Sequence, residues 1–247
     1  MDRMIYTAMT GLKHTLEQQA TNSHNLANVN STGFRAQIDN FRAVPIQGQG
    51  LPTRAFVVDA EVGSDFTPGA IQGTGRDLDA ALPDEGWFAV QRADGTEAYT
   101  RNGAFKLNEN GVLQTSTGLS VLGDGGPISI PPDVSITIGR DGTISSASTN
   151  TLPGPSTIVG RLKLVNPPLT TMVRGEDGLF SPSDGSTPAI DPSVVVVSGA
   201  LESSNVNIVD SMVNMINLAR QFDMQMKLLK DAENNAGKAS QLLSLSA

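Results

Sequence analysis

The chain contains no cysteine, few aromatic residues and no long apolar run. Without cysteine it can form no disulfide, thiolate metal site or thiol nucleophile. No uninterrupted apolar run exceeds four residues, whereas a transmembrane helix needs about 20. The first nine residues also lack the continuous apolar segment of a Sec-type signal peptide. The sequence therefore predicts that the protein does not insert into a membrane. If it is exported, the sequence predicts a route that needs no cleaved signal peptide.

Proline and glycine are almost absent from the two ends of the chain. All 14 prolines and 23 of the 25 glycines lie between Ser31 and Ser204, so only Gly11 and Gly237 fall outside. A proline inside a helix costs about 3 kcal/mol. This distribution predicts a helix at each end and a central region without long helices.

Basic residues are outnumbered in the middle of the chain, which carries the whole formal net charge of −8. Residues 1–30 and 205–247 each contain equal numbers of acidic and basic side chains. The chain has no basic cluster, which is the electrostatic feature of nucleic-acid-binding proteins. Nucleic acid is therefore excluded as a partner, whereas neutral ends can pack against other copies of the chain.

Apolar residues at the two ends are spaced as in helices, alternately four and three residues apart. The N-terminal stripe is Ile5, Met9, Leu12, Leu16 and Leu26, diluted by Gln19 and Ser23. The C-terminal stripe is Ile208, Met212, Met215, Phe222, Met226 and Leu229. One such stripe is typical of an ordinary core-facing helix. Two stripes at opposite ends, with methionine at several positions, favour surfaces through which the protein assembles.

Between the ends, short β-type segments alternate with glycine turns. The predicted strands include Trp87–Gln91 and Val134–Ile138, and the predicted turns include Asp94-Gly95, Asp141-Gly142 and Asp177-Gly178. We expect Trp87, Phe88 and Val90 to build the core of this region.

These patterns predict an α+β protein in which the N- and C-terminal helices pair as a coiled-coil-like unit beside a central, mainly β domain. The expected boundaries are a helix over residues 1–30, an extended connector over 31–69, a β-rich body over 70–203 and a second helix over 204–247.

A search for catalytic or ligand-binding residues finds no convincing site. His14 and His24 are the only histidines, and helical geometry separates them by about 80° around the first helix. The string Gly73-Thr74-Gly75 lacks the rest of a nucleotide-binding motif. The sequence therefore predicts neither enzymatic activity nor a bound metal or cofactor.

One motif rises above this background, at the end of the first predicted helix. Residues Leu26–Ala36 read Leu-Ala-Asn-Val-Asn-Ser-Thr-Gly-Phe-Arg-Ala. Asn28 and Asn30 can cap backbone groups at the helix end, Gly33 permits a positive φ, and Phe34 can anchor the exit of the chain on a neighbouring surface. A simple helix C-cap accounts for Gly33 alone, not for the whole string.

This string resembles the N-terminal signature of the bacterial flagellar rod and hook family. The resemblance continues at Trp87–Gln91, Ala98–Phe105, Ser204–Asn207 and in the methionine-rich segment that follows. Within the family, Phe41–Pro45 and Ile216–Lys227 are most similar to the proximal rod proteins.

The resemblance implies a structural subunit of the proximal flagellar rod, whose terminal helices assemble into the torque-transmitting shaft. The implied partners are further copies of the chain, other proximal and distal rod proteins, and the flagellar type III export apparatus. The implied location is the flagellar basal body, where the rod crosses the periplasm. A distal rod or hook paralogue is the alternative within the family. A periplasmic wall-cleaving enzyme is the alternative outside it, and it would need a carboxylate or metal cluster.

Overall fold

The computed structural model describes residues 2–45, 55–148 and 156–245. Its two long helices are α1 (Asp2–Ala27) and α2 (Ile208–Leu245). The strands are β1 (Gln37–Pro45), β2 (Ala55–Ser64), β3 (Ile71–Gly73), β4 (Ala80–Ala81), β5 (Trp87–Gln91), β6 (Glu97–Thr100), β7 (Phe105–Leu107), β8 (Leu113–Thr115), β9 (Ser120–Gly123), β10 (Gly126–Pro127), β11 (Val134–Ile138), β12 (Thr143–Ser148), β13 (Thr157–Arg161), β14 (Leu164–Val165), β15 (Met172–Arg174), β16 (Phe180–Pro182), β17 (Val197–Ser198) and β18 (Ala200–Glu202). Leu169–Thr171 forms one turn of 3-10 helix.

The chain folds as two compact units. The helical unit consists of Met1–Ala27, Gln37–Asp65 and Asn207–Ala247, and the β unit consists of Asn28–Ala36 and Phe66–Val206. The chain therefore passes between the units four times. This division differs from the predicted boundaries because the signature segment after α1 belongs to the β unit.

In the helical unit, α1 contacts both α2 and the hairpin of β1 and β2. The two strands pair antiparallel, with a bulge between Asn40 and Phe41. The ring of His14 lies edge-on to the ring of Phe41, with 5.2 Å between the centroids. Thr21 donates a 2.8 Å hydrogen bond to Asp39. An aromatic contact and a polar contact thus hold β1 on α1.

This hairpin differs from the extended connector that the sequence predicted over residues 31–69. In β1 the side chains alternate, with Gln37, Asp39 and Phe41 half-buried and Ile38 and Asn40 exposed. A period of two is the pattern of a strand with one covered face. The pattern was not recognised in the sequence because two of the three inward positions are polar.

The β unit is built on a nine-stranded sheet. Its main path is β15-β16-β6-β5-β9-β8-β7, with β10 paired to β9 and β14 paired to β5. A three-stranded sheet, β11-β12-β13, and two short pairs, β17-β4 and β18-β3, complete the unit. All described pairings are antiparallel, which agrees with a chain built from short strands and tight turns.

Several of these strands and turns were predicted from the sequence. β5 and β11 have the predicted bounds, and the Asp-Gly pairs join β5 to β6, β11 to β12 and β15 to β16. The glycines of these turns have φ between 78° and 85°, a conformation that favours glycine. Trp87 and Phe88 point to opposite faces of β5 and enter separate hydrophobic clusters, so both contribute to the core as expected.

The α+β expectation is confirmed in its coarse form, since two terminal helices contact each other and the centre is a large β region. The coiled-coil character of the helix pair stays a prediction.

Four surface turns should make the stability of the β unit depend on acid. Hydrogen bonds from the residue two positions later lower the pKa of four turn aspartates, Asp94, Asp141, Asp184 and Asp191. The larger cause is the bond from the hydroxyl of that residue, except at Asp184, where it is the bond from the backbone N–H. A carboxyl with a lowered folded pKa stabilises the fold above its unfolded pKa, about 3.9, and this stabilisation is lost as pH falls through the folded value. The melting temperature, followed by Trp87 fluorescence, should therefore fall below about pH 4. Replacing all four residues with Asn should flatten that fall, and an unchanged pH profile would contradict the assignment.

Candidate functional site

One face of α2 turns toward the inside of the helical unit. Its members recur four and three residues apart, with Ser211 buried and the others half-buried: Met215, Leu218, Phe222, Gln225, Leu229 and Ala232. The hydroxyl of Thr15 donates to Gln225 Oε1 at 3.2 Å, and Asn22 Nδ2 donates to the Ser211 carbonyl at 2.7 Å. Since the later α1 residue meets the earlier α2 residue, the two helices run antiparallel.

The predicted N-terminal stripe only partly coincides with the buried side of α1. Leu12 is buried and Leu26 is half-buried, but Met9 and Leu16 are 54% and 51% exposed. The side chain of Ile5 lies outside the described part of the chain. Small and polar residues, Gly11, Thr15 and Asn22, occupy the line that meets α2.

The predicted C-terminal stripe is divided between two faces of α2. Met215, Phe222 and Leu229 belong to the inner face, whereas Ile208, Met212 and Met226 are exposed. Two residues that are three or four positions apart lie about 50° from each other around the helix axis. One of them can therefore contact α1 while the next one in the stripe faces solvent. The spacing identified the helix correctly but did not identify which partner each residue meets.

A second apolar surface covers the first turns of α2 on the exposed side. We call it the outer face, and it consists of Ile208, Val209, Met212, Val213 and Ile216. Their exposed fractions lie between 42% and 67%. Contiguous exposed apolar patches of this kind mark surfaces that bind other proteins.

The signature segment is folded onto the β unit. Gly33 has φ of 65°, and its N–H donates a 2.8 Å hydrogen bond to the Glu202 carbonyl. A Cβ at this position would lie 2.4 Å from the carbonyl carbon of Arg101, so the close approach requires glycine. Phe34 is buried, with the Arg174 guanidinium 4.6 Å from its ring centroid. The Ser31 hydroxyl donates a 3.1 Å hydrogen bond to Asn28 Oδ1, and Asn30 is exposed.

A buried carboxylate lies at the centre of this arrangement. Glu202 Oε1 accepts from Arg35 Nη1 at 2.5 Å and from the Gly69 N–H at 2.9 Å, and Oε2 accepts from Arg101 Nε at 2.7 Å. The three charged side chains are each at most 3% exposed. The signature and the segment Ala98–Phe105, two of the segments that resemble the rod and hook family, therefore both contact one acidic residue.

Arg101 also donates hydrogen bonds to three backbone carbonyls. Its guanidinium donates to Leu82, Asp84 and Gly86 at 2.7 to 2.8 Å. Burial lowers the pKa of Arg101, and the Glu202 carboxylate opposes that shift. An arginine stays protonated even when it is buried, so this guanidinium keeps its positive charge in the folded chain.

Sequence reasoning missed this ionic group and the polar contacts between the helices. Arg35 and Glu202 are 167 positions apart, and a single glutamate in a short strand carries no sequence signal of burial. The helix contacts had a usable signal, because Gly11, Thr15, Gln18 and Asn22 recur four and three residues apart on α1.

The described residues contain no group of three or more acidic or histidine side chains that could hold a metal ion. No helix among them has both the length and the hydropathy needed to cross a membrane.

Three family models match different parts of the chain. Residues 5–35 match "Flagella basal body rod protein", residues 81–146 match "Flagellar hook protein FlgE/F/G D1 domain", and residues 197–242 match "Flagellar basal body rod FlgEFG protein C-terminal". The matched segments include the signature, much of the β unit and most of α2.

Curated relatives cover the whole length of the chain. The flagellar basal-body rod protein FlgF of Escherichia coli (strain K12) is 47% identical, and that of Salmonella typhimurium is 46% identical, each over 100% of both chains. The rod protein FlgG of Buchnera aphidicola subsp. Schizaphis graminum is 28% identical over 96% of this chain and 98% of its own.

Removal of the buried carboxylate should destabilise the β unit strongly. Glu202→Gln leaves two buried guanidinium groups without their counter-charge, a change that costs about 3–5 kcal/mol in comparable buried pairs. We expect the unfolding transition seen by Trp87 fluorescence to fall by roughly 10 °C or more. Asp177→Asn is the matched control, since Asp177 pairs with Arg92 on the surface of the same unit and should cost about 1 kcal/mol or less. Equal effects of the two changes would contradict the central role of Glu202.

Proposed function

Because the chain belongs to the FlgF family of flagellar basal-body rod proteins, and is thus a structural rod subunit that assembles with other rod components, we propose that the outer face of α2 is its docking surface. The family is structural, which removes the wall-cleaving enzyme as an alternative. The observation that carries the proposal is an apolar stripe that remains exposed although the opposite side of the same helix already contacts α1.

The outer face has the geometry of a helix-packing surface. Its five residues follow the spacing i, i+1, i+4, i+5 and i+8, which spans about 140° of the helix circumference. The stripe ends at Ala219, after which Arg220 and Asp223 occupy the same side. A neighbouring helix of similar character fits a surface of this width, because both would bury apolar side chains along two turns.

The energy available from this surface suits assembly. Burying a half-exposed Val, Ile or Met side chain contributes on the order of 1 kcal/mol, so five such residues give several kcal/mol per contact. That is too little for a stable complex of two chains after the entropy of association. It becomes effective in a rod, where each subunit makes several such contacts at once.

Residues on α1 extend the proposed docking surfaces. Tyr6, Met9 and Leu16 are all more than half exposed, and they do not lie on the line that meets α2. The assembly residues predicted from the sequence thus contribute in two ways, with Met215, Phe222 and Leu229 joining α2 to its own chain and Met9, Leu16, Ile208 and Met212 facing neighbours.

We further propose the finer assignments that family membership supports. Neighbours in the rod would be further copies of this chain and other proximal and distal rod proteins. The subunit would reach the rod through the flagellar export apparatus and stand where the rod crosses the periplasm. The FlgF assignment is favoured over a FlgG-like one by the higher identity to FlgF relatives.

Charges on the outer face should block assembly without unfolding the chain. Met212→Asp combined with Ile216→Asp would place two unpaired carboxylates in an apolar contact, which should prevent rod completion and abolish swimming. Gln221→Asp and Asn214→Asp, made together, are the matched control, because both residues are exposed on another side of α2. Rods can be counted by electron microscopy of basal bodies. Normal rods in the outer-face variant would refute the docking surface, provided that circular dichroism shows the same helix content as the control.

A further inference from the structure

Three of the four chain crossings between the units lie within two residues of Asn205 or of a residue to which its side chain bonds. The crossings follow Ala27, Ala36, Asp65 and Val206. We propose that Asn205, supported by Glu202, is a clamp in the β unit that ties three crossing segments together, so that load on the rod is shared among them. This inference rests on the proposed role as a rod subunit and assigns positioning residues to it.

Asn205 connects the three segments through its amide and its backbone. Its Oδ1 accepts a 2.7 Å hydrogen bond from the Ala36 N–H, immediately before the second crossing. Its Nδ2 donates to the Thr67 carbonyl at 3.1 Å, immediately after the third crossing. Its own position immediately precedes the last crossing, after Val206. One planar amide thus satisfies backbone groups on two other segments.

Glu202 forms a second layer of the clamp, deeper in the unit. Its carboxylate holds Arg35 of the first segment and the Gly69 N–H of the second, and its carbonyl accepts from Gly33. A Cβ at Gly69 would lie 2.0 Å from the Ser203 carbonyl oxygen, so only glycine lets these two segments approach so closely. Glu202 and Asn205 therefore each join the segment that follows α1 to the segment that follows β2.

The arrangement has a mechanical consequence. Each crossing is a covalent path along which force passes between the helical unit and the β unit. Without lateral bonds, a pull on one crossing would peel its segment away from the sheet one hydrogen bond at a time. With Asn205 and Glu202 in place, the same pull must break bonds to the other segments together, which resists opening far more effectively.

The clamp can be tested in the folded full-length chain by Asn205→Ala. Loss of the amide should raise hydrogen exchange roughly tenfold at the Ala36 N–H, which bonds to Asn205 Oδ1, and at the nearby Gly69 N–H, while the rest of the β unit stays protected. Asn108→Ala is the matched control, because Asn108 accepts two backbone N–H bonds inside a turn of the same unit but joins no crossing. Unchanged exchange at both Ala36 and Gly69 would overturn the clamp. Asn205→Asp keeps an acceptor for the Ala36 N–H but loses the donor to Thr67, so it should restore protection at Ala36 alone.

The load-sharing role requires a second readout in cells that carry the variant as their only copy of this subunit. Asn205→Ala cells should build rods and swim in dilute medium, but lose speed more steeply than Asn108→Ala cells as viscosity rises. Equal loss in both strains, or an absence of rods in the Asn205→Ala strain, would overturn load sharing. Failure of the docking proposal can be told apart from failure of the clamp proposal. In that case the charged outer-face variants would assemble normally, while Asn205→Ala would still raise hydrogen exchange at Ala36.

Discussion

The buried Glu202 carboxylate is the constraint on which the arrangement of the β unit depends. Taking a carboxylate and two guanidinium groups out of water costs several kcal/mol for each ion, and only close mutual pairing offsets that cost. The partners Arg35 and Arg101 lie 167 and 101 positions away along the chain. The pairing therefore favours the observed position of the segment after α1, because releasing that segment would leave buried charges without their partners.

The two units stabilise themselves by different means. The β unit has large clusters of fully buried side chains around Phe88 and Trp87, so its fold is supported from within. The helical unit joins its helices through polar contacts of Thr15, Asn22 and Gln225 beside the half-buried inner face of α2, while other apolar side chains remain in contact with water. Exchanging water for neighbouring subunits would supply the apolar burial that the single chain lacks. A subunit of a rod can afford such a unit because it functions only when assembled.

The parts of the fold that could be predicted are those set by local physics. The absence of proline identified both helices, and glycine after aspartate identified three turns, since each depends on residues close in sequence. Strand β1, and with it the pairing to β2, was missed because polar Gln37 and Asp39 occupy its covered side. The faces of α2 were confused because heptad spacing reports a helix and not its partner. The ionic group around Glu202 was not predictable, because its members are distant in the chain and each alone resembles a surface charge.

Directional and non-directional interactions are separated in this molecule. Hydrogen bonds and ion pairs fix distances to a few tenths of an ångström, and around Glu202 and Asn205 they hold together the segments that lead into and out of the β unit. Apolar contacts tolerate small shifts, and methionine and valine on the proposed docking face can repack against helices of different sequence. A subunit whose neighbours are not all identical needs that tolerance at its surface. The directional contacts of Glu202 and Asn205 supply the opposite property within the β unit, where they hold the segments after α1 and before α2 at fixed distances.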